Sequence, residues 1–87
     1  MKHYVAIEAG NKTGSGYSFV VYRVKNNRLC SIATGKIHYG WTRGEQSEVL
    51  NVLADNGEVP KKYRNTYYEG KIREKVSIRY ICPVNQK

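Results

Sequence analysis

The sequence is poor in the residues that define several protein classes. Only two cysteines occur, Cys30 and Cys82; that is too few for a disulfide framework, and their spacing matches no zinc-binding pattern. Each stands at an alternate position of a predicted strand, so both are expected to be small buried hydrophobes. A reducing, cytoplasmic setting is expected with them. The sequon Asn11-Lys12-Thr13 is then expected to be idle, because glycosylation requires secretion. Histidine is as scarce: His3 and His38 fall in no HExxH or other ligand-spaced cluster, which argues against a metal site. No unbroken apolar run exceeds four residues, as in Phe19-Val20-Val21-Tyr22, whereas a membrane-spanning helix needs about 20. No membrane partner is expected, and no charged-then-apolar signal region is read at the start. Carboxylates are few as well, seven against 15 Lys and Arg, which leaves a formal charge of +8.

What is present suits one small domain over residues 1–87. For a chain of 10.0 kDa, area scaling gives about 5,200 Å² of folded surface against about 14,500 Å² unfolded. The core is therefore modest. With 40% hydrophobic and 11% aromatic residues, the composition is not that of a disordered chain.

The first forty residues read as sheet. His3 to Ala9 alternates, with Val5 and Ile7 on one face and Tyr4 and Glu8 on the other. Gly10 to Gly16 reads as a loop, because its three glycines permit positive φ. It lacks the Lys-Ser/Thr ending of a phosphate-binding loop and is followed by a strand, so a mobile hairpin loop is expected. Tyr17 to Lys25 is apolar on both faces, as an interior strand would be. Asn26-Asn27 supplies a tight two-residue turn, and Leu29 to Thr34 returns, with Gly35 marking a bulge before Lys36-Ile37-His38-Tyr39.

A helix of about three turns follows. Thr42-Arg43-Gly44-Glu45 reads as a capping box, with Gly44 weakening the first turn slightly. Val49, Leu50 and Leu53 form its apolar stripe, with Val52 at the margin. Asn56-Gly57 stops it, and Pro60 prevents continuation. Residues 61–75 have no clean period and read either as a short helix or as a hairpin turning at Glu69-Gly70. Val76 to Cys82 alternates strictly and reads as a strand, ended by Pro83, after which the terminus is expected to fray. The order is β-β-β-α-β with an optional strand before the last. The predicted class is α+β: a small antiparallel sheet with one helix packed on one face.

Charge is unevenly distributed. Residues 61–79 carry seven cations against two carboxylates, a net +5, whereas residues 42–59 carry a net −3. Four tyrosines, Tyr63, Tyr67, Tyr68 and Tyr80, interleave with the cations. Flexible cations with aromatic rings between them suit a phosphate backbone and unstacked bases, and Tyr and Arg also dominate protein interfaces. The expected binding residues are Lys61, Lys62, Tyr63, Arg64, Tyr67, Tyr68, Lys71, Arg73 and Arg79. Their partner is expected to be nucleic acid or an acidic protein surface, such as that of a nucleic-acid-handling host protein. No cofactor is expected. An exposed first or third strand would allow a strand-paired homodimer. The alternative is a small metal-free ribonuclease of toxin type with His38 as general base, near Tyr39, Trp41 and Arg43.

The layout also resembles the opening half of the ribonuclease H-like fold. The pieces are Tyr4-Val5-Ala6-Ile7-Glu8, then Gly14-Ser15-Gly16-Tyr17, two further strands, and a helix from Thr42 through Glu48-Val49-Leu50, together covering roughly residues 4–55. The resemblance implies that Glu8 and Glu48 stand where that family places metal-binding carboxylates. The final strand ends Arg79-Tyr80-Ile81-Cys82 with no further carboxylate, so metal-assisted hydrolysis is not expected. In size and in its abundance of Asn, Lys and Tyr, the chain resembles small accessory proteins of phages or mobile elements. A non-enzymatic binding protein, some of whose kind inhibit a host factor, is the expected function.

Overall fold

The computed structural model describes residues 2–13, 16–38, 40 and 43–82. Strands β1 (Lys2–Thr13), β2 (Gly16–Lys25) and β3 (Arg28–His38) precede helix α1 (Glu45–Asp55). A 3₁₀ turn (Lys61–Tyr63), a five-residue helix α2 (Lys71–Lys75) and strand β4 (Val76–Ile81) complete the chain. The four strands form one sheet in the order β3-β2-β1-β4. This is the expected α+β class and β-β-β-α-β order, with no strand between α1 and β4 among the described residues. The sheet is mixed rather than wholly antiparallel, because β4 runs parallel to β1. The antiparallel meander leaves β3 pointing the same way as β1. The segment after α1 climbs back along it as far as Ser47, and α2 then brings the chain down to Val76 beside Lys2, so β4 runs parallel to β1.

Local chemistry explains most of these elements. Asn26 and Asn27 both adopt positive φ, 54° and 61°, closing the β2–β3 hairpin between the paired Lys25 and Arg28. At the end of α1, Gly57 sits at φ 79°. Its N–H donates to the Ala54 carbonyl (3.2 Å) and that of Glu58 to the Leu53 carbonyl (2.9 Å), so two carbonyls that the helix leaves open are satisfied. The start of α1 differs from the capping-box expectation. The N-cap is Gly44, at φ 106° with no side-chain cap, and Thr42 lies outside the described residues. Glu45 becomes the first helical residue, and its carboxylate accepts a hydrogen bond from the Tyr17 hydroxyl (3.1 Å) instead of reaching back to the backbone.

The core lies between α1 and one face of the sheet. Tyr4, Ala6, Phe19, Val21, Ile37, Val76 and Ile78 project from the strands onto Val49, Leu50, Leu53 and Ala54 of α1. In β1 the covered residues are therefore Tyr4, Ala6 and Glu8, while the more hydrophobic-looking pair Val5 and Ile7 faces away, half-buried. Gly35 marks no bulge: it pairs with Phe19 in regular register. It is glycine for space, since a Cβ there would stand 2.4 Å from Phe19 Cζ and 2.7 Å from Val52 Cγ2. The bulge in β3 lies at Ile32, between the Val21–Ala33 and Tyr22–Ser31 pairs. Residues 10–13 extend β1 past a second irregularity between Glu8 and Lys12, so only Gly14 and Ser15 of the expected loop lie outside the described residues, as does Pro83.

Both cysteines are exposed, against expectation. Cys30 lies on edge strand β3 and Cys82 just beyond β4, and neither position is packed beneath α1. No described helix is long and apolar enough to cross a membrane.

Candidate functional site

The segment after α1 is irregular but well anchored. The Arg64 Nε lies 2.5 Å from Asp55 Oδ1. The Asn65 N–H donates to Asn51 Oδ1 (2.6 Å), and the Tyr68 N–H donates to Ser47 Oγ (2.8 Å), both acceptors being on α1. Tyr68 then turns inward. Its hydroxyl donates to the Val76 carbonyl (2.6 Å) and accepts from the Ile78 N–H (3.0 Å). Gln46 Nε2 donates to the Ile78 carbonyl (2.7 Å). These three backbone groups belong to the outer edge of β4, which side chains thus cover. β1, being interior, has no free edge for a strand-paired dimer, and the other edge strand is β3, which no further described strand pairs.

These anchors divide the nine expected binding residues. Lys61, Lys62, Lys71 and Arg73 are exposed on the helical layer and make no ion pair among the described residues. Tyr67 is the most exposed aromatic among the described residues, at 56%. Tyr63 is half-buried against the core, with Lys62 Nζ 5.7 Å from its ring centroid. Arg64 is committed to Asp55. Tyr68 is buried, with the Arg73 guanidinium 5.1 Å from its ring centroid. Arg79 is exposed but pairs with Val5 in the β1–β4 ladder, which places it on the sheet face away from α1. The sequence segment is thus two surfaces, and Tyr68 belongs to neither.

A cleft of about 380 Å³ opens at the carboxyl end of β4, lined by Arg43, Gly44, Glu45, Gln46, Ser47, Tyr68 and Tyr80. Beside it, Tyr80 and Cys82 donate to the two oxygens of the buried Glu8 carboxylate (3.2 and 3.1 Å). Burial, followed by the nearby Glu8, pushes the Tyr80 phenol well above its usual range. It therefore serves as a proton-bearing donor, not as a base. Arg43 Nη2 lies 3.7 Å from Glu48 Oε2, and its Nε is buried without a hydrogen-bond partner. Glu8 and Glu48 do not form a metal-binding set: no three His, Cys, Asp or Glu among the described residues are grouped to hold an ion.

At the opposite end, Glu58 accepts from Tyr4 (3.0 Å) and from Arg23, whose Nε lies 3.2 Å away. The Arg23 hydrogen bond holds the Glu58 carboxyl below its usual range. Burial, reinforced by Glu58, raises the Tyr4 phenol to about 12. This cluster closes the core at the foot of α1 and has no signature in the sequence, because its members lie 35 and 54 residues apart.

His38, the proposed base of the ribonuclease alternative, is exposed at the end of β3, and its side chain forms no hydrogen bond or ion pair with the described residues. Tyr39 and Trp41 lie outside those residues. No family model matches the chain, and no curated protein and no solved structure shows significant similarity to it.

Proposed function

We propose that this chain is a small, non-enzymatic nucleic-acid-binding protein whose helical layer engages a phosphate backbone through Lys61, Lys62, Lys71 and Arg73. The observation that supports this reading is the exposure of these four cations without a carboxylate partner among the described residues, with Tyr67, 56% exposed, in the same segment. Unpaired cations lose no internal ion pair on meeting phosphate, and an exposed ring offers a stacking surface that tolerates any base. A relation to the opening half of the ribonuclease H-like fold belongs to the same reading and rests on the layout of residues 4–55 in the sequence. The reading extends to a role as a phage or mobile-element accessory protein, on the chain's small size and its abundance of Asn, Lys and Tyr.

The test is a salt titration with a labelled, arbitrary-sequence oligonucleotide. Four phosphate contacts predict that affinity falls roughly 50- to 150-fold between about 50 and 200 mM salt. Replacing the four cations by alanine is expected to weaken binding and to flatten the slope by about one unit for each cation replaced. Absent or salt-insensitive binding overturns the reading and favours an acidic protein surface as the partner.

A further inference from the structure

The sheet has a second face, and the strand register defines what stands on it. Leu29 lies beside Val24, and Tyr22 beside Val5. Val20 lies beside Ile7, which lies beside Ile81. All point away from α1, and none belongs to the core beneath it. Together they make a diagonal apolar stripe from edge strand β3 to edge strand β4. With strands about 4.8 Å apart and about 3.3 Å per residue, its length is roughly 20 Å. No described helix or strand covers it.

Charges border the stripe. Lys36 stands on one side, opposite Ser18 in the ladder. Arg79 stands on the other, exposed and without an ion pair among the described residues. No carboxylate projects from the described side chains of this face.

We propose that this diagonal stripe docks an amphipathic helix of a partner protein, about 13 residues long, whose apolar face is bordered by carboxylates on the side that meets Arg79. The length follows from the stripe at about 1.5 Å of rise per residue. The border follows from charge complementarity with Arg79, which is exposed and makes no ion pair among the described residues. A second copy of the chain would bring two such cationic faces, and two +8 molecules, against each other. A phosphate backbone would leave the aliphatic centre of the stripe facing charge. The helical layer with Lys61, Lys62, Lys71 and Arg73 lies on the opposite side of the sheet, so both surfaces are accessible at once.

The experiment uses the full chain and two synthetic helical peptides of about 14 residues that share one leucine stripe. One is flanked by Glu and the other by Lys. The Glu-flanked peptide is expected to bind, with backbone amide shifts confined to the open face of the four strands along the line from Leu29 to Ile81. The Lys-flanked peptide is expected to bind about tenfold more weakly or worse. Arg79→Glu is expected to shrink or reverse that preference while leaving oligonucleotide affinity unchanged, and Val20→Glu to abolish peptide binding. Equal binding of both peptides, binding of neither, or shifts on the helical layer overturns the proposal. So does self-association that Val20→Glu abolishes, or an oligonucleotide that shifts the open-face amides.

Discussion

Val20 and Val21 are neighbours in β2 with the same side chain and opposite surroundings. Val21 is fully buried beneath α1, and Val20 is half-buried on the bare face. The contrast runs through the whole sheet: one face of each strand is committed to the core, and the other is covered by no described helix or strand. Burial of apolar area drives folding in proportion to the surface removed from water, so α1 decides which face carries the stability. The face it leaves, and the exposed side of the helical layer, are where binding costs the fold little.

The largest effect expected from breaking this contrast is at Phe19. Its ring is fully buried, meets the Tyr80 ring edge-on at 5.9 Å and fills the space that Gly35 leaves. Phe19→Ala is expected to cost about 3–5 kcal/mol, measured by urea unfolding, and for a domain of this size that approaches global unfolding. A loss below about 1 kcal/mol would mean that the two faces are less different than their burial implies.

Tyr68→Phe comes next. It keeps the buried ring and removes the hydroxyl shared by the Val76 carbonyl and the Ile78 N–H. A loss of about 1–3 kcal/mol is expected. Faster amide exchange at Ile78 is expected with it, because the outer edge of β4 is then uncovered. Unchanged exchange would show that the hydroxyl does not seal that edge.

What was legible in the sequence was local. The Asn26-Asn27 turn, the Val49-Leu50-Leu53 stripe and the Gly57 stop each depend on residues within a few positions of one another, and each forms as its chemistry dictates. What was not legible depends on contacts across the chain. Alternation in β1 separates Val5 and Ile7 from Tyr4 and Glu8, but it cannot say which set α1 covers. The helix selects the set with a tyrosine and a glutamate because Glu58, itself held by Arg23, accepts from the Tyr4 hydroxyl, and Tyr80 and Cys82 donate to Glu8. The basic segment read as one patch for a similar reason. Chain proximity joined Arg73, Tyr68 and Arg79, whereas β4 carries Arg79 through to the far face and Tyr68 turns under α1. Composition located the charge, and only the register divided it.

The smallest expected effect isolates the two faces most cleanly. Threonine has nearly the shape and β-propensity of valine, so substituting it changes polarity alone. At Val21 the new hydroxyl would be buried among apolar side chains with no partner, at a cost of about 1–3 kcal/mol. At Val20 it would remain within reach of water, and a change of about 0.5 kcal/mol or less is expected. The difference between the two melts, in one strand and for one chemical change, therefore reads the coverage of each face directly. If Val20→Thr proved as costly as Val21→Thr, the stripe from Leu29 to Ile81 would already be covered within the free protein. It would then not be open to a partner helix.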